Sequence, residues 1–207
     1  MSLGIKNVKM ALVDKNGVVK TGVDGIFGDA SDASGVFTAD QDTAFGVASV
    51  AFANLSGSQT GIYGSDKLVY TASGKGAPTG TVTVNQLPNQ IKQAVLGHKA
   101  DGKGGFTISG KADSNNRVAL LVESRESFND DAPIYVSLYS SVVSEASLTM
   151  TSNNASENRS TDALLFTAIE RGDAGFGKFY FAESEGFDEK AMNDDVFKAP
   201  VTSGTQG

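Results

Sequence analysis

The chain's single histidine, His98, stands beside Lys99 just past an expected helix end. A helix C-terminus favours cationic neighbours, so a surface group that complements the helix dipole accounts for it. A lone imidazole brings no base, nucleophile or metal partner, and zinc motifs built on two histidines are excluded. Cysteine is absent, which removes thiolate metal sites, cysteine nucleophiles and disulfides. Gly97-His98-Lys99-Ala100-Asp101-Gly102-Lys103 begins like a phosphate-binding loop. Gly104 then stands where Ser or Thr would hold magnesium, and the stretch follows a helix instead of a strand, so it reads as a turn. Gly74-Lys75-Gly76 and Gly175-Phe176-Gly177 lack the third glycine of dinucleotide sites. Asp24, Asp29, Asp32, Asp40 and Asp42 crowd one loop without calcium-loop spacing and read as solvated carboxylates. Paired acids for glycoside hydrolysis could converge from distant strands, but the chain has no Trp to form a sugar platform. The expectation is no catalytic residue, no metal and no cofactor.

The elements that would carry these groups are mostly strands. Residues 6–14 form an apolar-rich run that ends in Asp14-Lys15-Asn16-Gly17, and Asn-Gly is a hairpin turn signal. Residues 22–42 are rich in Gly, Asp, Ala and Ser and read as a long loop or arm. Residues 43–54 are a strand candidate with small and apolar side chains on both faces, followed by a shorter strand at 66–72. Residues 79–87 alternate, with Val82 and Val84 on one side and Thr81, Thr83 and Asn85 on the other. The one firm helix is 88–96. Pro88 suits its start, Ile91, Ala94 and Val95 make its stripe, and Gly97 suits its stop. Strand candidates follow at 106–109, 118–124, 133–139, 142–151, 161–170 and 176–182, with Val118-Ala119-Leu120-Leu121-Val122 the most continuous apolar run. Residues 183–195 carry six acidic side chains against Lys190, a local net of −5, interrupted by Phe187, Ala191 and Met192. They read as a C-terminal arm with a short helix, and 200–207 as a disordered tail.

The totals bound the class. A length of 207 residues fits one domain with arms, here a β-domain over 1–182 and an arm and tail over 183–207. The net charge of −7 disfavours phosphate-gripping nucleic-acid binders and anionic membrane surfaces. The opening Met1-Ser2-Leu3-Gly4-Ile5-Lys6 lacks the apolar core of a signal peptide, and no run approaches a spanning helix, so synthesis in the cytoplasm is expected. The three Asn-X-Ser matches at Asn54, Asn154 and Asn158 are then chance. Long strands with one polar and one apolar face, together with extended arms, suit a protein that pairs with copies of itself through its edges.

The order of elements resembles the major tail proteins, the tail tube subunits, of long-tailed phages that infect Gram-positive hosts. The resemblance lies in Gly4-Ile5-Lys6-Asn7-Val8, in the helix ending Ala94-Val95-Leu96-Gly97, and in Pro133-Ile134-Tyr135-Val136-Ser137-Leu138-Tyr139. It continues in the tip Asn153-Asn154-Ala155-Ser156-Glu157-Asn158-Arg159-Ser160-Thr161-Asp162 and in Phe187-Asp188-Glu189-Lys190-Ala191-Met192-Asn193-Asp194-Asp195-Val196-Phe197. It spans about residues 4–198.

The resemblance implies a mainly β fold, a β-sandwich or partly closed barrel flanked by one short α-helix, with an extended loop and a C-terminal arm. It implies homo-hexameric rings that stack into a hollow tube, other tail proteins at the tube ends, and DNA that passes without specific binding. No membrane is involved, and the expected place is the virion tail. One lumen hairpin falls at about 142–170, and the 43–54 strand lies in or beside a second. Candidate lumen-facing residues are Glu145, Glu157, Arg159, Asp162 and Glu170. Candidate inter-subunit arms are 22–42 and 183–198, through Phe27, Phe37, Phe187, Val196 and Phe197. The rival readings are an Ig-like adhesion or carbohydrate-binding module, and the tube protein of a contractile tail or secretion machine.

Overall fold

The computed structural model describes residues 2–57, 59–108, 115–127, 130–145, 148, 152 and 160–199. The expected strand at 142–151 and the tail at 200–207 therefore fall partly and wholly outside the described residues. In chain order the elements are β1 (Ser2–Val13), β2 (Val36–Ala39), α1 (Gln41–Ala44), β3 (Val47–Ala53), β4 (Gln59–Gly64) and β5 (Lys67–Ser73). They continue with β6 (Thr79–Val84), α2 (Asn89–Leu96), β7 (Lys99–Ala100), β8 (Phe106–Thr107), β9 (Arg117–Glu126), β10 (Ala132–Ser144), β11 (Asp162–Ala168), β12 (Phe179–Phe181) and α3 (Glu189–Val196).

One eight-stranded antiparallel sheet dominates, in the order β2-β1-β9-β10-β11-β6-β3. β12 pairs with β10 over Ile134–Val136 and β11 pairs with it over Ser141–Ser144, so the two share one edge of the long strand. A register shift between Leu138 and Ser141 bends β10 at the changeover. The sheet curls until β3 approaches β1 without pairing with it, so the barrel stays partly open along the β3 edge.

β1 and β9 are buried on both faces, which is why their sequences read as continuous apolar runs. Val8, Met10 and Leu12 face the inner core with Val118, Leu120 and Val122. Ala11, Val13, Ala119 and Leu121 face a second core on the other side. α2 covers the inner core with Ile91, Val95 and Leu96. It stops where Gly97 adopts φ 73°, with Gly97 N–H bonded to the Ala94 carbonyl and His98 N–H to the Gln93 carbonyl. α3 covers the second core with Met192 and Val196, and its first turn is capped by the Asp188 carboxylate accepting from Lys190 N–H.

Two local differences from the sequence reading have physical causes. Strand β2 lies inside the expected 22–42 loop and is held by antiparallel pairing to β1 from Val8 to Ala11. β3 begins at Val47 and not at 43, because Asp40 and Thr43 form a capping box that turns Gln41–Ala44 into helix α1. The phosphate-loop-like stretch is the turn its sequence announces, braced by the Asp101 carboxylate accepting from Lys103 N–H and Gly105 N–H.

Candidate assembly surface

The feature least used by the rest of the chain is the β4–β5 hairpin. Its tip, Ser65-Asp66, takes φ 50° and φ 61°, the two positive values of a type I′ turn. Every residue of β4 is exposed. Ile62, Tyr63, Leu68, Val69 and Tyr70 are between 50% and 71% exposed. The base is a close crossing of two backbones: a Cβ on Gly57 would lie 1.8 Å from the Gly74 carbonyl oxygen, so only glycine fits there. β4 and β5 project beyond the paired ends of β3 and β6, where Ala53 sits opposite Thr79.

Beside the hairpin lies a sheet edge. β3 pairs with β6 on one side and carries no other strand among the described residues. The outward face of β3, β6 and β11 is a grid set by the register: Ser49 opposite Thr83 opposite Ala163, Ala51 opposite Thr81 opposite Leu165, and Ala53 opposite Thr79 opposite Thr167. Every one of these side chains is uncharged.

Two charge clusters brace the body behind this surface. In the first, Lys92 of α2 holds both Glu145 and Asp162 at 2.7 Å, with its side chain only 9% exposed. Asp162 also accepts from Leu87 N–H at 2.8 Å, which fixes the entry to α2. Burial works against the Lys92 charge, but the two carboxylates outweigh it and raise the Lys92 pKa above its ordinary value.

The second cluster centres on Asp195 of α3. Its carboxylate accepts from Tyr139 Oη at 2.7 Å, Tyr180 Oη at 2.8 Å, Lys178 Nζ at 3.2 Å and the Arg171 guanidinium at 2.9 Å. Arg171 also bonds the Asp195 carbonyl and lies 3.6 Å over the Tyr139 ring. Burial alone would push the Asp195 carboxyl up. The Tyr139, Tyr180 and Lys178 donors win and hold it at about 2. Burial pushes Tyr139 and Tyr180 up, and the same carboxylate adds to that.

The candidate residues fall into distinct places. Glu145 and Asp162 converge on Lys92, on the α2 side of the sheet, and Glu170 is an exposed partner of Lys75 at 3.8 Å. Glu157 and Arg159 lie outside the described residues. Phe37, Val196 and Phe197 are buried in the chain's own cores. Phe27 meets Phe37 edge-on at 6.2 Å, and Phe187 stacks on Tyr135 at 5.8 Å.

The sequence reading missed β4 and with it the hairpin. The signal was present: Gly64-Ser65-Asp66 separates the β-prone Ile62-Tyr63 from Leu68-Val69-Tyr70. His98 is engaged by Gln93 through Nδ1. Among the described residues no three His, Asp or Glu side chains are grouped to hold a metal ion.

No curated protein matches the chain. A family model described as phage tail tube protein matches residues 1–205. A curled β-body with an uncharged face and an unspent hairpin suits that match, and the chain belongs to the phage tail tube protein family.

Proposed function

We propose that this protein closes into six-membered rings that stack into the hollow tail conduit through which DNA leaves the virion. The coarser role is given by the family: the protein is a structural component of the virion tail, made in the host cytoplasm, and not an enzyme. It associates with itself and with other tail proteins. The ring number, the stacking and the DNA passage are the proposal, together with a long-tailed phage and a Gram-positive host.

The observation that carries it is the free edge of β3 next to an uncharged face. An unpaired edge offers N–H and C=O groups to another chain, and a neighbour's strand there would extend the sheet around a ring. The Ser49, Ala51, Thr81, Thr83, Ala163, Leu165 and Thr167 face would then line the lumen. Hydroxyls and methyls give passing phosphates no cation to bind, so DNA slides without being held. Glu157, Arg159 and Glu170 stay as charged lumen candidates outside this uncharged face. Glu145 and Asp162 instead hold α2 through Lys92.

Negative-stain microscopy of the concentrated purified protein tests this. Rings or tubes of uniform width are expected. A protein that stays monomeric at high concentration, and is missing from purified virions, would overturn it.

A further inference from the structure

We propose that Lys92 and Asp162 become joined by an intramolecular amide, formed by loss of water with Glu145 as the proton carrier. The ion-pair cluster on the α2 side of the sheet holds the parts. Lys92 Nζ lies 2.7 Å from Asp162 Oδ1 and 2.7 Å from Glu145 Oε1, and the three side chains are 9%, 17% and 16% exposed. An amine, a carboxyl acceptor and a second carboxylate thus meet at one nitrogen. They come from α2, from the start of β11 and from just past the end of β10.

Three features set this triad apart from an ordinary ion pair. First, Asp162 Oδ2 accepts from Leu87 N–H at 2.8 Å. A backbone donor therefore already stands where negative charge collects when an amine adds to the carboxyl carbon, which selects Asp162 over Glu145 as the acceptor. Second, Glu145 is a base within reach of the same ammonium protons. Third, the surroundings exclude water: Val84, opposite Asp162 across the sheet, is buried in the inner core with Leu87 and Ile91. Contact held in one geometry supplies effective molarities of about 10⁵ M and above, which favours condensation over the separated groups.

The step balances within the triad. Lys92 passes one ammonium proton to the Asp162 carboxylate, and the freed Nζ adds to the Asp162 carboxyl carbon. Leu87 N–H holds the charge that develops on Oδ2. Glu145 takes a second proton from Nζ and delivers it to Oδ1, the carbon–Oδ1 bond breaks, and water leaves. The ion pair becomes a neutral amide, Glu145 returns to its carboxylate, and no co-reactant is consumed. Burial opposes the Lys92 charge but its two carboxylates outweigh burial, so closure is slow, and the ion pair with its pH response belongs to the freshly folded chain. The closed bond ties α2 to β11 across a separation of 70 residues, whether or not subunits assemble.

Intact-mass measurement under denaturing conditions tests this on the wild-type chain, fresh and after prolonged incubation at mildly alkaline pH. The aged chain is expected to fall about 18 Da below the sequence mass, one water, and to yield a branched tryptic peptide that joins Lys92 to Asp162. Lys92→Arg keeps a cation between the carboxylates and is expected to hold the full mass. Glu145→Gln is expected to close about a hundredfold more slowly. An aged wild-type chain at full mass overturns the proposal, and so does a loss that persists in Lys92→Arg. Closure of Glu145→Gln at the wild-type rate overturns the role given to Glu145.

Discussion

The barrel body and the β4–β5 hairpin are built by opposite rules. In the body, Val8, Met10, Leu120 and Phe166 are fully buried, and even the charged Lys92 and Arg171 are paired with carboxylates of the same chain. In the hairpin, side chains of similar hydrophobicity stand in solvent, and the backbone pairs only with itself. A residue in the body stabilises the subunit. A residue in the hairpin does little for the subunit and is available to the assembly. The contrast separates two kinds of mutational effect: loss of folding, and loss of association by a folded chain.

The largest effect is expected at Phe166→Ala. It removes a fully buried ring from the inner core and should cost about 4 kcal/mol in denaturant unfolding. If this variant were as stable as the wild type, the body would not be the closed core described.

Lys92→Met comes next, at about 3 kcal/mol, because it strands the Glu145 and Asp162 carboxylates. The pH dependence has a definite sign. The Lys92 pKa is raised in the folded chain, so its contribution is present below about pH 10.4 and is lost as pH rises through the higher folded value. The variant should lack that alkaline loss in thermal melts.

Asp195→Asn should cost about 2 kcal/mol, since four donors lose a charged acceptor. The Asp195 pKa is depressed to about 2, so its contribution is present above about pH 4 and is lost as pH falls toward 2. Melts of the wild type should show that acid step, and melts of the variant should not.

The smallest change in folding is expected at the hairpin. Tyr70→Ser should shift unfolding by no more than about 0.5 kcal/mol, because the ring is 64% exposed. The same variant should nonetheless sediment as a smaller species than the wild type at equal concentration. A large loss of folding with unchanged sedimentation would erase the contrast between the two regions.

Much of the body was readable from local pattern. The alternation around Val82 and Val84, the run at 118–122 and the Gly97 stop each became the element they announced. β2 was not readable, because Val36–Ala39 is short and becomes a strand only by pairing with β1. The start of β3 was misplaced because one capping box, Asp40 with Thr43, outweighed a strand-like composition. Neither charge cluster was readable. Lys92 meets Glu145 and Asp162, and Asp195 meets Tyr139 and Arg171, across long separations that only the folded sheet brings together. The acidic residues expected at the wall included two whose work is internal. The phenylalanines and valine expected on the arms include Phe37, Val196 and Phe197, which the chain's own cores enclose.

The most direct test is a side-chain-resolution reconstruction of the assembled particle that traces residues 59–73. The account predicts a tube in which the hairpin contacts a neighbouring subunit, with Ile62, Tyr63, Leu68, Val69 and Tyr70 no longer in solvent, while Lys92 and Asp195 keep their partners within one chain. A tube whose hairpins stand free in solvent, with subunits joined through the buried body residues instead, would contradict it.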